Sequence, residues 1–123
     1  MIGKEILVDT NIILYLLRGN DTLQDILQGK TIYISFITEL ELIGFQQITV
    51  EEEQQVQALL DECVILPLTN EMKKVYVSLR KTYQLKLADA MIAATAISSG
   101  IPLITADKQF RKVTEINLIA YEI

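Results

Sequence analysis

The chain alternates between short, continuous runs of apolar residues and longer segments in which apolar residues recur every three or four positions. The short runs are rich in Ile, Val, Leu and Tyr, which is typical of strands that are buried on both faces of a sheet. We therefore predict five strands, at residues 5–10, 31–36, 63–68, 101–106 and 116–121.

The segments between these runs have the period of amphipathic helices. Residues 71–83 show it most clearly, because their apolar side chains recur at spacings of three, four and seven. The predicted helices are residues 11–17, 21–28 and 38–47, a segment that begins after Thr49, and residues 71–83 and 86–99.

Polar residues and glycine mark where several of these helices begin and end. Asp21 stands in position to cap the second helix, and Thr49 with Glu52 forms the pattern of a capping box. Gly100, with Pro102 just beyond it, predicts the end of the last helix.

Strands that alternate with helices imply right-handed crossover connections and a mostly parallel sheet that is covered on both faces. The composition, 50% hydrophobic and 22% charged, is that of a globular protein, and no linker or repeat divides the chain. We therefore predict one α/β domain over residues 1–123, with three α/β/α layers and a mostly parallel five-stranded sheet. In such folds ligands bind beyond the carboxyl ends of the strands.

Four acidic residues are expected near that edge of the sheet. Asp9 ends the first strand, and Asp107 stands in the same relation to the fourth strand. Glu41 comes one turn into the helix after the second strand, and Asp89 lies in the first turn of a helix that is apolar on nearly every side. An ionised carboxylate among such neighbours is costly unless it is paired, hydrogen-bonded or bound to a metal.

The residue types that the chain lacks narrow the possible chemistry. There is no His, which excludes Ser-His-Asp and Cys-His catalysis and any His metal site. Cys63 is the single cysteine, so no intrachain disulfide forms, and its apolar run favours a buried residue over a reactive thiol. Converging carboxylates therefore predict a site for Mg²⁺ or Mn²⁺, which prefer oxygen ligands.

Each of these acids also has a structural interpretation. Asp9 and Asp107 could cap the helical segments that follow them. Asp89 could interact with the free N–H groups and the positive dipole end of its own helix. Glu41 could be the acid of a capping box with Thr38. These roles do not explain why four acids meet at one edge, where they would repel one another and raise at least one pKa in the absence of a cation.

The motifs around the four acids resemble those of the PIN domain, and most closely those of VapC-type toxins from prokaryotic toxin–antitoxin pairs. They are VDTNIIL around Asp9, ITELELIG around Glu41, LADAMIAATA around Asp89 and LITADKQF around Asp107. The resemblance covers the whole chain, in order. It implies that these four acids bind divalent metal and support the hydrolysis of RNA phosphodiester bonds.

The resemblance extends to supporting residues. Asn11 and Thr105 match positions that hold the acids by hydrogen bonds. Glu39 competes with Glu41 for one metal-binding role, but Glu41 matches the family's Glu-Leu-x-Gly pattern, whereas Glu39 is expected at the helix start, toward solvent. Whether one metal or two is bound stays open, as does the general base, which is either a metal-bound hydroxide or a carboxylate with a raised pKa.

RNA would have to approach this acidic site in spite of a net charge of −5. Basic residues form two clusters: Lys73, Lys74, Arg80, Lys81 and Lys86, and then Lys108, Arg111 and Lys112. The second cluster directly follows Asp107, which makes it the better candidate for phosphate contacts. A solvated helix face is the alternative for both clusters.

The resemblance also implies partners. A small antitoxin would lay its C-terminal segment along the active-site groove and insert an Arg or Lys among the acids, and homodimers are typical of such toxins. The N-terminus lacks the features of a secretory signal and no stretch is long enough to span a bilayer, so we expect a cytoplasmic protein.

Two other classes of protein fit the sequence less well. A receiver domain would need an Asp at the end of the third strand, which instead ends Leu66, Pro67, Leu68, and a haloacid-dehalogenase-type phosphatase would need an acid where Asn11 stands. The open alternative is a PIN domain that is not a toxin, either an RNA-processing nuclease or an RNA-binding module without turnover.

Overall fold

The computed structural model describes residues 3–45 and 49–122. Its centre is a five-stranded sheet in the order β3-β2-β1-β4-β5, in which every neighbouring pair is parallel. The prediction of an α/β fold with a parallel five-stranded sheet is therefore confirmed. The strands are β1 (Glu5–Val8), β2 (Thr31–Ser35), β3 (Val64–Leu66), β4 (Leu103–Thr105) and β5 (Leu118–Ala120).

Helices cover both faces of this sheet. They are α1 (Thr10–Leu17), α2 (Asp21–Leu27), α3 (Phe36–Ile43), α4 (Val50–Glu62), α5 (Asn70–Thr82) and α6 (Leu87–Ser99), with a short 3₁₀ helix at Lys108–Lys112. None of the helices in the described part of the chain is long and apolar enough to cross a membrane.

The alternation of side chains along β1 divides the core into two halves. Leu7 packs in the half formed with α5 and α6, whereas Ile6 and Val8 pack in the half formed with the first four helices. All three side chains are fully buried. This is the three-layer arrangement that continuous apolar strands predict.

Three helix starts differ from, or refine, the predictions. The cap of α2 is Asn20, whose side chain accepts from the backbone N–H of Leu23 at 3.0 Å, so the prediction of Asp21 as the cap was wrong. Helix α3 begins two residues earlier than predicted, because Ser35 caps it, and its predicted end at Gln47 lies outside the described residues. The capping box of Thr49 at the start of α4 is confirmed.

Helix α6 packs tightly against the sheet because most of its residues are small and buried. The hydroxyl of Thr95 lies 2.9 Å from that of Ser35 and 2.8 Å from the Met91 carbonyl oxygen, which ties α6 to the end of β2. The helix ends, as predicted, at Gly100, which has a left-handed φ of 70°. This packing determines where the first turn of α6, with Asp89, lies.

The lone cysteine has a structural environment. Cys63 follows α4 and is partly buried. Burial, with a contribution from the charge of Glu62, raises the pKa of its thiol to about 11. The thiol is therefore protonated at neutral pH, which agrees with a structural residue.

The order of the strands places the candidate site. Strand β1 pairs with β4 so that Leu7 lies opposite Leu103 and Val8 opposite Ile104. The chain builds outward from β1 to β3 and then returns to the other side of β1, so the strand order reverses between β1 and β4. A crevice at the carboxyl ends of these two strands is where ligands bind in such sheets.

Candidate active site

Asp9 is a buried carboxylate at the carboxyl end of β1, with 4% of its surface exposed. It caps α1 by accepting from the backbone N–H of Ile12 at 2.9 Å, and its other oxygen accepts a hydrogen bond from the Thr105 hydroxyl. Burial nevertheless raises the pKa of Asp9, and the nearby charges of Asp107 and Asp89 raise it further. Its two oxygens are thus held in a defined orientation.

Asp107 stands just beyond the end of β4 and caps the 3₁₀ helix. Its side chain accepts from the backbone N–H of Gln109 at 2.9 Å, and its own N–H donates to the Thr105 hydroxyl oxygen at 3.0 Å. Thr105 therefore joins the two aspartates, since it donates to one side chain and accepts from the backbone of the other. This bridge exists because β1 and β4 are neighbours.

Glu41 reaches the same edge from α3. Its carboxylate accepts from the hydroxyl of Thr10 at 2.6 Å, and that hydroxyl lies 3.3 Å from Thr38. The capping-box interpretation of Glu41 was wrong, because Ser35 caps α3 and Thr38 lies buried inside the helix. Sequence reasoning missed Thr10, and its position directly after Asp9 in the VDTN motif was the signal that could have revealed it.

Glu39 is less exposed to solvent than expected. It lies in the first turn of α3, as predicted, but it is partly buried rather than directed to solvent, while Glu41 is the more exposed of the two. Only Glu41 lines the acidic cavity described below.

Asp89 is half-buried in the first turn of α6 and is not used as a cap. The cap position belongs to Lys86, which makes no side-chain capping bond, and no hydrogen bond among residues 3–45 and 49–122 involves the Asp89 carboxylate. Burial raises the pKa of Asp89, the charges of Asp107 and Glu41 raise it further, and Lys86 opposes the shift. The interpretation that Asp89 accepts from the free amides of its own helix is therefore wrong for the described residues.

The four acids line one cavity of about 190 Å³. They come from four different parts of the chain and meet at the carboxyl edge of the sheet. Asn11 also lines this cavity, but its side chain makes no hydrogen bond to the acids in the described part of the chain. The cavity is lined by Asp9, Thr10, Asn11, Leu14, Glu41, Phe45, Asp89, Ile92 and Asp107.

The chemistry of this cavity fits a hard divalent cation. All four ionisable ligands are carboxylates, and the only ion pair between described residues joins Arg111 to Glu122 at 3.7 Å, away from them. Within the same residues, no group of three or more acidic or cysteine side chains is arranged to hold a metal ion as it stands. The donor set is therefore suitable in kind, and none of the four carboxylates is in an ion pair with a described residue, but the side chains are not gathered around one point.

Two members of the second basic cluster are already engaged. Lys112 donates to the carbonyl oxygen of Gln84 at 2.8 Å and to the Gln109 side chain at 3.1 Å, and Arg111 pairs with Glu122. None of the three basic residues of this cluster lines the acidic cavity. Lys108 is exposed at the start of the 3₁₀ helix.

Fold and cavity together define an α/β protein with an acidic site at the carboxyl edge of a parallel sheet. The PIN domain family matches residues 6–116, and the chain belongs to this family. The family is one of nucleases.

Solved structures share the fold over nearly the whole chain. A toxin–antitoxin complex from Klebsiella pneumoniae is 32% identical, with a TM-score of 0.81 and coverage of 96% of this chain and 99% of that one. VapBC2 from Rickettsia felis, bound to a promoter DNA fragment, has a TM-score of 0.85 at 22% identity over 96% and 99%. FitAcB from Neisseria gonorrhoeae has a TM-score of 0.78 at 24% identity over 93% and 96%.

The two structures below 25% identity bear on the fold alone. No protein of curated function matches the sequence at a significant level.

Proposed function

We propose that this protein is a metal-dependent endoribonuclease and the toxin of a type II toxin–antitoxin pair. The observation that carries the proposal is the single cavity that Asp9, Glu41, Asp89 and Asp107 line together, none of them in an ion pair with a described residue. Membership of a nuclease family supports hydrolysis of a phosphodiester bond, and the similar solved structures include toxin–antitoxin complexes.

The four acidic side chains would have different roles in the reaction. Asp9 and Asp107 are oriented by the Thr105 bridge, and Glu41 by Thr10, so these three would hold Mg²⁺ or Mn²⁺ after their side chains move together around the ion. When bound, the ion supplies the positive charge that stabilises the scissile phosphate and activates a water. Asp89, whose carboxylate makes no hydrogen bond to a described residue and whose pKa is raised, is suited to contact the ion or accept a proton.

Cleavage of total cellular RNA by the purified chain tests the activity. We expect cleavage with Mg²⁺ or Mn²⁺, none with EDTA, and none by Asp9→Asn with either metal. Asp25→Asn is the matched control, because Asp25 is exposed on α2 and does not line the cavity, and it should cut like the wild type. Cleavage that persists in EDTA or in Asp9→Asn would contradict the proposal.

An apolar surface beside the cavity supports an antitoxin partner. The depressions between α1, α3 and α4 include Leu14 and Phe45, which also line the acidic cavity, so the two regions adjoin. Large apolar side chains are exposed there, Ile43 at 59% and Val50 at 70%, beside the acidic Glu53. Such a surface fits an apolar helix followed by a basic segment that would neutralise the carboxylates.

Co-expression with any small protein encoded beside this gene, followed by co-purification, tests the partner. Ile43→Lys should abolish the complex, because it places a charge on the apolar surface. Val77→Lys, which changes an equally apolar residue exposed on α5, should leave the complex intact. Equal binding by both variants would place the partner elsewhere.

The resemblance to VapC-type toxins also supports a homodimer, and light scattering during gel filtration measures the oligomeric state directly.

The alternative functions give different results in the same assays. A non-toxin RNA-processing nuclease would cut RNA without arresting growth, and a binding module would bind RNA without cutting it.

A further inference from the structure

A second concave surface lies where α5 turns into α6. It is an open cleft of about 420 Å³, lined by Arg80, Tyr83, Gln84, Leu85 and Lys86. Two of the five lining residues are cations and none is acidic. The cleft therefore differs in charge from the carboxylate cavity.

The cleft is joined to the acidic cavity from two sides. Lys86 is the N-cap residue of α6 and precedes Asp89 by three residues, so both belong to the start of this helix. On the other side, the ammonium group of Lys112 donates to the Gln84 carbonyl oxygen at 2.8 Å, which fastens the cleft to the 3₁₀ helix that Asp107 caps. The cleft therefore borders the two elements that carry Asp89 and Asp107.

The two cations of the cleft keep their charge available. Among the residues that the structure describes, the Arg80 guanidinium is in no ion pair: it lies 3.1 Å from the hydroxyl of Tyr76 and 5.8 Å from the centroid of that ring. Lys86 makes no ion pair with any residue that the structure describes. The second basic cluster, in contrast, has Arg111 paired with an acid and Lys112 bound to two oxygens.

Tyr83 adds an aromatic face to the cleft. Its hydroxyl donates to the Glu115 carboxylate at 2.6 Å, and this bond lowers the pKa of Glu115. The ring is therefore held in place at the edge of the cleft, between Arg80 and Lys86 in the sequence. Cations beside an ordered aromatic ring are the combination that binds single-stranded nucleic acid, through phosphate contacts and base stacking.

We propose that this cleft binds the RNA strand beside the scissile phosphate, with Arg80 and Lys86 on phosphates and Tyr83 stacked on a base. The inference rests on the proposed nuclease function and names the path by which its substrate reaches the site. It also moves the expected phosphate contacts from the Lys108, Arg111 and Lys112 cluster to the corner between α5 and α6.

Binding without cleavage tests the proposal. The full chain carrying Asp9→Asn is titrated, in EDTA, against a fluorescent single-stranded RNA of mixed sequence, and anisotropy is followed at several KCl concentrations. Adding Arg80→Gln and Lys86→Gln should weaken binding roughly tenfold and reduce the salt slope by about 1.4, since two phosphate contacts to a single strand are lost. Tyr83→Ala should weaken binding while Tyr83→Phe, which keeps the ring, should not.

The matched control is Lys73→Gln with Lys74→Gln, which removes the same charge from exposed residues of α5 outside the cleft. The control should keep both the affinity and the salt slope. Equal weakening by the two pairs, or none by either, would overturn the inference. If the wild type cuts RNA and the cleft variant binds normally, the cleft fails and the nuclease stands, whereas absence of both binding and cleavage overturns the two proposals together.

Discussion

Asp9 is held by two hydrogen bonds in surroundings that disfavour its charge. The Ile12 amide and the Thr105 hydroxyl favour the ionised form, but burial and the neighbouring aspartates outweigh them, so the pKa is raised above 3.8. The folded protein therefore binds this proton more tightly than the unfolded chain does. The resulting stabilisation is complete below the unfolded-state pKa and is lost as the pH rises through the folded-state pKa.

Asp9→Asn should consequently stabilise the metal-free protein at neutral pH. The amide can still accept from Ile12, and the Thr105 hydroxyl can turn to accept from the amide nitrogen. We expect the free energy of unfolding in urea at pH 7, in EDTA, to rise by on the order of 1 kcal/mol, and the gain to shrink toward pH 4. Asp25→Asn should show no such dependence, and an Asp9→Asn variant that is less stable at pH 7 would contradict this account.

The hydroxyl of Thr105 is hydrogen-bonded to both aspartates, so removing this hydroxyl should affect both of them. Thr105→Val keeps the shape of the side chain but removes the donor to one oxygen of the Asp9 carboxylate and the acceptor of the Asp107 N–H. We expect a loss of about 1–3 kcal/mol in the free energy of unfolding, together with reduced RNA cleavage. Thr105→Ser, which retains the hydroxyl, should recover most of the activity, and equal activity of Val and Ser would remove Thr105 from the site.

At the scale of elements, the starts of helices supply both caps and candidate ligands. Asp9 and Asp107 cap the segments that follow β1 and β4, so the structural interpretation of these two residues is correct and coexists with a place in the cavity. Asp89 differs, because its helix begins without a side-chain cap. The ends of parallel strands thus place Asp9 and Asp107 together, and helix packing brings the remaining two acids to them.

The end of α6 offers a test of how firmly that helix is positioned. Gly100 has φ of 70°, where a side chain is strained, although a Cβ there would meet no atom within 4 Å. Gly100→Ala should therefore cost about 1 kcal/mol of stability from backbone conformation alone, and Gly100→Asn less. Gly3→Ala, at a position with ordinary φ and equally open space, is the control, and chemical denaturation measures all three.

At the scale of the whole molecule, a net charge of −5 is concentrated in part around one cavity. Repulsion among these carboxylates weakens the metal-free fold, so an ion that binds the folded state should stabilise it by mass action. The electrostatic repulsion among the four carboxylates would then be offset only in the metal-bound protein.

Thermal unfolding with and without Mn²⁺ measures this linkage. At constant ionic strength, a hundredfold excess of Mn²⁺ over its Kd should add about 2.7 kcal/mol to the free energy of unfolding of the wild type. The melting temperature should rise accordingly. Asp89→Asn should melt higher than the wild type in EDTA and respond less to Mn²⁺, since it removes both a repulsion and a ligand. Asp25→Asn should respond like the wild type, and a response to Mn²⁺ that Asp89→Asn retains in full would place the ion elsewhere.

The sequence by itself determined the elements and the class of fold. Runs such as residues 101–106 predict buried strands, and the periodic segments predict helices. Both patterns depend only on residues that are close together in the sequence, so they can be recognised without the fold. The positions of Asp9 and Asp107 after their strands followed from the same local pattern. The boundaries were less accurate where two polar residues compete, as when Asn20 rather than Asp21 caps α2.

Only the tertiary structure decided which distant residues meet. The pairing of β1 with β4 brings Thr105 to Asp9, and the packing of α3 brings Glu41 to the hydroxyl of Thr10 at the cavity. The same packing leaves Arg80 and Lys86 available while it engages Lys112. These contacts join residues far apart in the chain, so they depend on how whole elements pack, which no local period encodes.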